Sequence, residues 1–138
     1  MEIRTFVNPE KRVVVVKITD VISELDKEFV DFYRKFHIVA DWKVWGDFTE
    51  KYRRELNNVT GMATCNVDAG DVFDAEVGER IARERCLAKF EQLRQNMYRL
   101  IAIKQDTIFG EAARRQIKSY GREVYRIEKI TKILVEKA

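Results

Sequence analysis

The sequence predicts an α+β fold: an N-terminal β-hairpin or small antiparallel sheet packed with helices, followed by a C-terminal antiparallel pair of long α-helices. Apolar residues recur at spacings of three and four over 73–104 and again over 107–137, as in amphipathic helices. Only a turn around Gln105 and Asp106 separates the two stretches. The first half carries short β-branched runs instead. A chain of 138 residues fits a single domain, with a mixed strand and helix part over 1–70 and a helical hairpin over 71–138.

The first elements are predicted to form a β-hairpin. Residues 3–7 alternate between apolar and polar, residues 8–11 contain the Asn-Pro pair typical of a turn, and residues 12–19 are rich in β-branched side chains. The unbroken valine run 13–16 predicts a strand covered on both faces, by helices or by a partner subunit.

A helix is predicted from an N-cap at Asp20 to about His37. Its apolar positions recur at spacings of three and four and form one core-facing stripe. They are Val21, Ile22, Leu25, Phe29, Phe32 and Phe36. The aromatic content of this stripe is typical of a core rather than of a ligand pocket.

The middle of the chain allows two interpretations. Residues 38–45 are predicted to be extended, and Asp47 with Glu50 resembles a capping box for a short helix through Leu56. Alternatively, residues 48–56 form a strand. Residues 60–65 are predicted to form a strand in either case, with small side chains suited to close packing.

The two long helices are predicted to form the main scaffold. Asp71 or Asp74 would cap the first of them. The second has an apolar arc broader than one neighbouring helix can cover, which predicts contact with the sheet or with a second subunit. Gly110 and Gly121 interrupt its pattern, and each either permits a close helix crossing or the approach of a ligand, or is simply tolerated there.

Composition excludes several classes of protein. With 46% hydrophobic and 36% charged residues, the chain is too apolar for disorder and too charged for a membrane span. The N-terminus lacks the long apolar run of a secretory signal, so we expect a cytoplasmic location and no membrane partner. Cys65 and Cys86 are expected to be small buried residues in a reducing compartment.

No motif of catalysis or metal binding is recognisable. His37 is the only histidine, and no serine or cysteine lies in a nucleophile signature. The cysteines and the histidine lack zinc spacing, and Asp68, Asp71 and Asp74 do not match a calcium loop. The sequence therefore predicts a protein that is not an enzyme, with no cofactor and no metal.

The candidate binding residues lie on the long helices. Residues 107–138 hold eight Lys or Arg against four Asp or Glu, and such an excess favours an anionic partner, although a solvated helix face would look the same. Lys118, Arg122 and Arg126, spaced by four, form one cationic row, and two guanidinium groups one turn apart can bind a diphosphate or a cyclic phosphate. Arg115, beside Arg114, is a second cationic position. From the first long helix, Asn96 and Tyr98 could hydrogen-bond or stack on a base.

One segment resembles a known family. Residues 64–74 read Thr-Cys-Asn-Val-Asp-Ala-Gly-Asp-Val-Phe-Asp, and Val77-Gly78, Ile81-Ala82 and Arg85 follow. About 22 residues of this pattern, with the hairpin and the long helical pair, are similar to small phage and prophage proteins of the Thoeris anti-defence family. The resemblance implies a non-catalytic homo-oligomer that sequesters a cyclic nucleotide immune signal, of the cyclic ADP-ribose type or a cyclic oligonucleotide, at a subunit interface. The family's pair of binding arginines on the final helix is best matched by Arg122 and Arg126.

Three functions are therefore considered for the chain. The first is a sponge for a cyclic nucleotide signal, acting in the cytoplasm of an infected bacterial cell and self-associating as a dimer or a higher oligomer. The second is a phage protein that binds a macromolecule, either nucleic acid or an inhibited host enzyme. Nucleic acid is the less favoured partner because the net charge of the chain is only +3. The third is a structural helical oligomer.

Overall fold

A computed structural model describes the backbone of residues 1–65, 74–104 and 108–137, and their side chains except those of 108–110 and 133–137. It confirms the α+β class, with a three-stranded antiparallel sheet, shorter helices, and two long helices packed against each other. Asp68, Asp71 and the turn at Gln105 and Asp106 lie outside the described residues, as does the part of the segment with the family resemblance that covers residues 66–73.

The sheet has the order β1 (Glu2–Asn8), β2 (Val13–Thr19) and β3 (Val59–Thr64), which confirms the hairpin and the third strand. Alternate residues of the valine-rich strand β2 face the helices and are buried. Val13 and Val15 face the other side and are only half-buried. Cover by helices on both faces of this strand is therefore wrong for the described residues, and cover by a partner subunit stays a prediction.

The first helix, α1 (Val21–Lys35), begins where the sequence predicted, but the side chain of the preceding residue does not cap it. Asp20 has a φ of 61°, and its side chain makes no capping hydrogen bond. The helix ends in a Schellman motif, because the amide of Ile38 donates to Tyr33 O (3.2 Å) and the amide of His37 donates to Arg34 O (2.9 Å). His37 takes the left-handed position of this motif, with a φ of 56°. The only histidine of the chain thus ends a helix.

The middle segment is helical, so the open choice between helix and strand is settled. Helix α2 (Trp42–Lys51) is followed by the short α3 (Arg53–Asn57). The extended structure predicted up to residue 45 is wrong from Trp42 onward, because the Asp41 carboxylate accepts hydrogen bonds from the amides of Lys43 and Val44 and starts the helix. The capping box predicted at Asp47 is wrong for the same reason.

The two long helices are α4 (Ala75–Lys104) and α5 (Ile108–Lys137). Asp74 caps α4 by accepting from the amides of Glu76 (3.0 Å) and Val77 (3.3 Å). Helix α4 packs against β2 and β3 on one side and against α5 on the other, so it lies between the sheet and α5. The broad apolar arc of α5 predicted contact with the sheet or with a second subunit. Because α4 occupies the place between α5 and the sheet, α5 makes little contact with the sheet. Contact of α5 with a second subunit stays a prediction.

Two glycines allow close approach at the faces of α4. A Cβ on Gly61 in β3 would overlap with Ala82 O and Cys86 N of the α4 backbone, so only glycine lets this helix lie so near the strand. A Cβ on Gly121 in α5 would come within 2.8 Å of the Gln95 amide nitrogen. The close crossing expected at Gly121 is therefore a crossing with α4.

The cysteines are free thiols. Cys86 is fully buried under the sheet, and its Sγ lies 3.4 Å from Val59 O. Burial raises the pKa of the Cys86 thiol. This confirms the expectation of a small buried residue at Cys86, while Cys65 is half-buried.

Candidate functional site

The predicted cationic row lies on the solvent side of α5. The three predicted members, Lys118, Arg122 and Arg126, are exposed together with Arg115, the second cationic position, and we call these four residues the cationic row. Lys129, one turn further on, is exposed as well. Successive members are three or four residues apart, so they are separated by about 4.5–6 Å along the helix axis. The opposite side of α5 packs on α4 through Ala113, Val124 and Ile127. The packing of α5 therefore presents the row to solvent.

Members of the cationic row differ in whether they are already paired. Arg126 forms a forked ion pair with Glu123, one turn back on the same helix, with its closest nitrogen 2.6 Å from Oε1 and its Nε 3.1 Å away. This hydrogen bond lowers the pKa of Glu123 and raises that of Arg126. Arg115, Lys118 and Arg122 make no hydrogen bond or ion pair with any residue that the structure describes. They are the cations free to meet an anion.

Asn96 belongs to an amide chain between the long helices. Its side-chain oxygen accepts from Gln92 Nε2 (3.2 Å), which also donates to the buried Gln95 (3.1 Å). Gln95 in turn donates to Ile117 O of α5 at 3.3 Å. The hydrogen bond that Asn96 accepts thus comes from its own helix, and among the described residues no hydrogen bond joins Asn96 to the cationic row.

Tyr98 is part of the core. Its side chain is 3% exposed, stacks on Tyr120 of α5 with ring centroids 5.6 Å apart, and makes a T-shaped contact with Phe32 of α1 with ring centroids 5.0 Å apart. A ligand on the cationic row could not stack on this ring. Of the six predicted site residues, the structure places four cations on one exposed face and turns Tyr98 away from it.

A second group of polar side chains lies at the junction of α1, α4 and α5. We call it the polar cluster. Its members are Glu28, Glu91, Arg94, Tyr98 and Tyr120. The Arg94 guanidinium lies between the rings of Phe90 and Tyr120, 4.8 Å from each centroid.

Charge pairing holds the polar cluster together. Arg94 donates two hydrogen bonds to the Glu91 carboxylate, at 2.8 and 3.0 Å. Its Nε lies 3.1 Å from Glu28 Oε1 without hydrogen-bond geometry, so that contact is an ion pair only. The Tyr120 hydroxyl donates to the same carboxylate at 3.5 Å. One arginine therefore partners two carboxylates.

Burial dominates the electrostatics of the polar cluster. It raises the pKa of Glu28 and of Glu91 against the opposing effect of Arg94. It also raises the pKa of Tyr98 and Tyr120, and the Glu28 charge adds to that effect. Perturbed carboxylates can mark active sites. Here they are packed under aromatic rings and paired within the protein, which is the arrangement of a structural junction.

Sequence reasoning missed the polar cluster, although one signal was present. Arg94 stands four residues after Phe90 and four before Tyr98, so it occupies a core-facing position of α4. Glu28 likewise lies beside the apolar stripe of α1, next to Phe29. Opposite charges at core-facing positions of two helices predict a buried ion pair.

The structure also has a surface groove of about 350 Å³ between α1, α2 and α3. Ile22, Glu50, Arg53 and Leu56 contribute to its lining, and no member of the cationic row does. Among the described residues, no three His, Cys, Asp or Glu side chains are grouped so that they could hold a metal ion. None of the helices, within the same residues, has the length and apolar character needed to cross a membrane.

Comparison with family models, curated proteins and solved structures finds no match to this chain. The similarity to the Thoeris anti-defence family thus stays a prediction.

Proposed function

We propose that the protein is a non-catalytic binding protein that sequesters a phosphate-bearing cyclic nucleotide on the cationic face of α5. The observation that carries the proposal is that Arg115, Lys118 and Arg122 are exposed along one face of α5 without an ion pair to any described residue. Unpaired cations one turn apart provide charge and directed donors for the two phosphates of one ligand.

Arg126 has a conditional part in this proposal. Its guanidinium is bound to Glu123 in the free protein, so a phosphate would have to displace that carboxylate or share the guanidinium with it. Arg122 would then make the first contact with the ligand, and Arg126 would join it once Glu123 is displaced.

The ligand class rests on the resemblance noted in the sequence. It implies a signal of the cyclic ADP-ribose type or a cyclic oligonucleotide, captured without turnover in the cytoplasm of an infected bacterial cell. An exposed helix face covers only one side of such a ligand. A second subunit against α5 would supply the other side, in line with the self-association predicted for this helix.

The direct test is titration calorimetry of the protein with cyclic ADP-ribose isomers and with cyclic oligonucleotides. We expect heat of binding from one class of ligand, and recovery of that ligand unchanged after the protein is denatured by heat. Arg122→Ala combined with Arg126→Ala should weaken binding at least a hundredfold. No heat with any of these ligands, or recovery of a chemically altered product, would overturn the proposal.

A matched control separates a site from general charge. Arg53→Ala combined with Arg54→Ala removes the same two positive charges from an exposed helix elsewhere, and it should leave binding unchanged. Tyr98→Phe is a second control, because the buried ring does not face the cationic row. Equal loss of binding in the two double variants would mean that only the net charge matters.

Nucleic acid is a second candidate, because the cationic row is linear and open rather than enclosed. Four cations along a helix could follow the phosphates of a strand. A gel shift with duplex DNA at two salt concentrations tests this function. Binding that falls steeply with salt and is lost in the Arg122 and Arg126 double variant would favour nucleic acid over a small ligand.

A further inference from the structure

We propose that the outer edge of β1, which pairs with no other strand in the part of the chain that the structure describes, pairs antiparallel with β1 of a second copy of this chain, so that the two three-stranded sheets become one continuous sheet. Strand β1 is an edge strand of seven residues without a break. It carries exposed apolar side chains at Ile3 (37%), Phe6 (55%) and Val7 (46%). A regular, apolar edge without a proline or a bulge is a template for pairing with another strand.

The outward backbone groups of β1 follow from the pairing of the sheet. The amide of Cys65 donates to Arg12 O at 3.0 Å, so even-numbered residues at this end of β2 direct their hydrogen bonds to β3 and odd-numbered ones to β1. In the β1–β2 register, Phe6 lies opposite Val15 and Arg4 opposite Lys17. The amide and carbonyl groups of Ile3, Thr5 and Val7 therefore point away from the sheet.

The opposite edge of the sheet is protected. By the same alternation, the carbonyl of Met62 in β3 points away from β2, and the Arg85 guanidinium donates a 2.7 Å hydrogen bond to it. A strand added at β3 would have to displace this arginine. Pairing of β1 with β3 of the next copy, which would continue into a fibre, is thus disfavoured, while pairing of β1 with itself closes after two copies.

Strand β1 is self-complementary in one register. A two-fold axis at Thr5 pairs all seven residues and sets Ile3 against the partner subunit's Val7, and Val7 against the partner subunit's Ile3. It also sets Arg4 against the partner subunit's Phe6, a cross-strand cation–π pair. Arg4 is already ion-paired with Glu2 at 3.3 Å, which offsets the charge of the two arginines near the axis.

Neighbouring registers are poorer. An axis at Arg4 would set two arginines directly opposite each other, and like charges there are destabilising. An axis at Phe6 pairs only residues 4–8 and leaves Ile3 without a residue opposite it on the second strand. Length of pairing and charge together select the axis at Thr5. The Thr5 hydroxyl lies 3.3 Å from the Glu79 carboxylate, a contact that ties the middle of the edge strand to α4.

The first test is the molar mass of the protein by light scattering and sedimentation over a series of concentrations. We expect a reversible dimer. Val7→Lys should raise its dissociation constant at least tenfold, or about 1.4 kcal/mol, because lysine on an edge strand opposes pairing. Met62→Lys is the matched control: it puts the same lysine on the other edge strand, at a side chain 54% exposed, and should leave the dimer unchanged.

The second test fixes the register by cross-linking and does not depend on the Val7 variant folding well. In the proposed dimer, Thr5→Cys places two thiols opposite each other within disulfide range, so mild oxidation should link two chains. Phe6→Cys and the parent chain, which carries Cys65 and Cys86, should stay unlinked. A monomer at every concentration, a dimer insensitive to Val7→Lys, or linking through Phe6→Cys instead would overturn the proposal. This inference is independent of the proposed ligand, since β1 carries no member of the cationic row.

Discussion

The Arg94 guanidinium lies 3.1 Å from the Glu28 carboxylate, and this ion pair joins α4 to α1 beneath the ring of Tyr120. Both side chains are mostly buried, so only limited contact with water could replace either partner. The pair adds a contact with α1 to the packing of α4 on β2 and β3, through which the N-terminal part of the chain meets the long helical pair. Loss of this ion pair should lower the free energy of unfolding of the whole domain.

Arg94→Met is expected to lower the free energy of unfolding by about 2–3 kcal/mol, because it leaves Glu28 and Glu91 as unpaired charges in a buried place. Urea unfolding at neutral pH measures the change. Arg99→Met, at an exposed position of the same helix, should change it by less than about 0.5 kcal/mol. If Arg94→Met and Arg99→Met lower the free energy of unfolding by similar amounts, the polar cluster contributes no more to stability than an exposed charge.

The raised carboxyl pKa values predict how the free energy of unfolding changes with pH. Burial raises the pKa of Glu28 and Glu91 above the ordinary 4.5, so the folded protein holds protons that the unfolded chain has released. The contribution of these groups to the free energy of unfolding must therefore fall as pH rises from about 4.5 through the raised pKa values.

Glu28→Gln should make that fall shallower, because one of the two groups no longer titrates. The measurement is chemical unfolding at a series of pH values from mildly acidic to neutral. Asp31→Asn removes the same charge from an exposed position of the same helix and controls for net charge. An unchanged slope in Glu28→Gln would contradict the prediction.

Gly61→Ala should destabilise the protein by at least about 3 kcal/mol, since the added methyl group would overlap with backbone atoms of Ala82 and Cys86 that cannot rotate away. Gly46→Ala is the matched control. Nothing lies within 4 Å of the Cβ that it would add in the middle of α2, so it should be neutral or stabilise by up to about 1 kcal/mol. Thermal unfolding of both variants compares them.

His37→Gly should raise the free energy of unfolding by about 0.5 kcal/mol, because glycine takes the left-handed position of the Schellman motif without the strain of a side chain. His37→Val should lower it, since a β-branched residue is poorest at a φ of 56°. If the two substitutions change stability in the same direction, backbone strain does not govern this position.

Prediction from the sequence was accurate where one pattern dominated a long stretch. Helices α4 and α5 begin within two residues of their predicted starts and end where predicted, because twenty or more residues of apolar spacing outweigh any local error. It failed at α2, where Asp41 and Asp47 are both acceptable N-caps by residue type, while the observed helix starts at Asp41 and buries Val44 and Phe48.

The candidate site was predictable only in part. Spacing by four placed Lys118, Arg122 and Arg126 on one face of α5, and the structure has them exposed together. The directions of Asn96 and Tyr98 depended on the rotation of α4 about its axis. That rotation is set by Gly61 on one side and by Gln95 against Gly121 on the other, and no pattern within α4 alone contains it.

The position of α4 between the sheet and α5 has a consequence for the cooperativity of unfolding. The α4 backbone is held from two sides, whereas α5 packs chiefly on α4 and reaches α1 through the contact of Tyr120 with Glu28. Helix α5 can therefore open as a separate unit while the sheet, α1 and α4 stay folded. Native-state hydrogen exchange should show that the amides of α5 exchange through an opening of lower free energy than the amides of α4. A bound anion should reduce this difference in opening free energy.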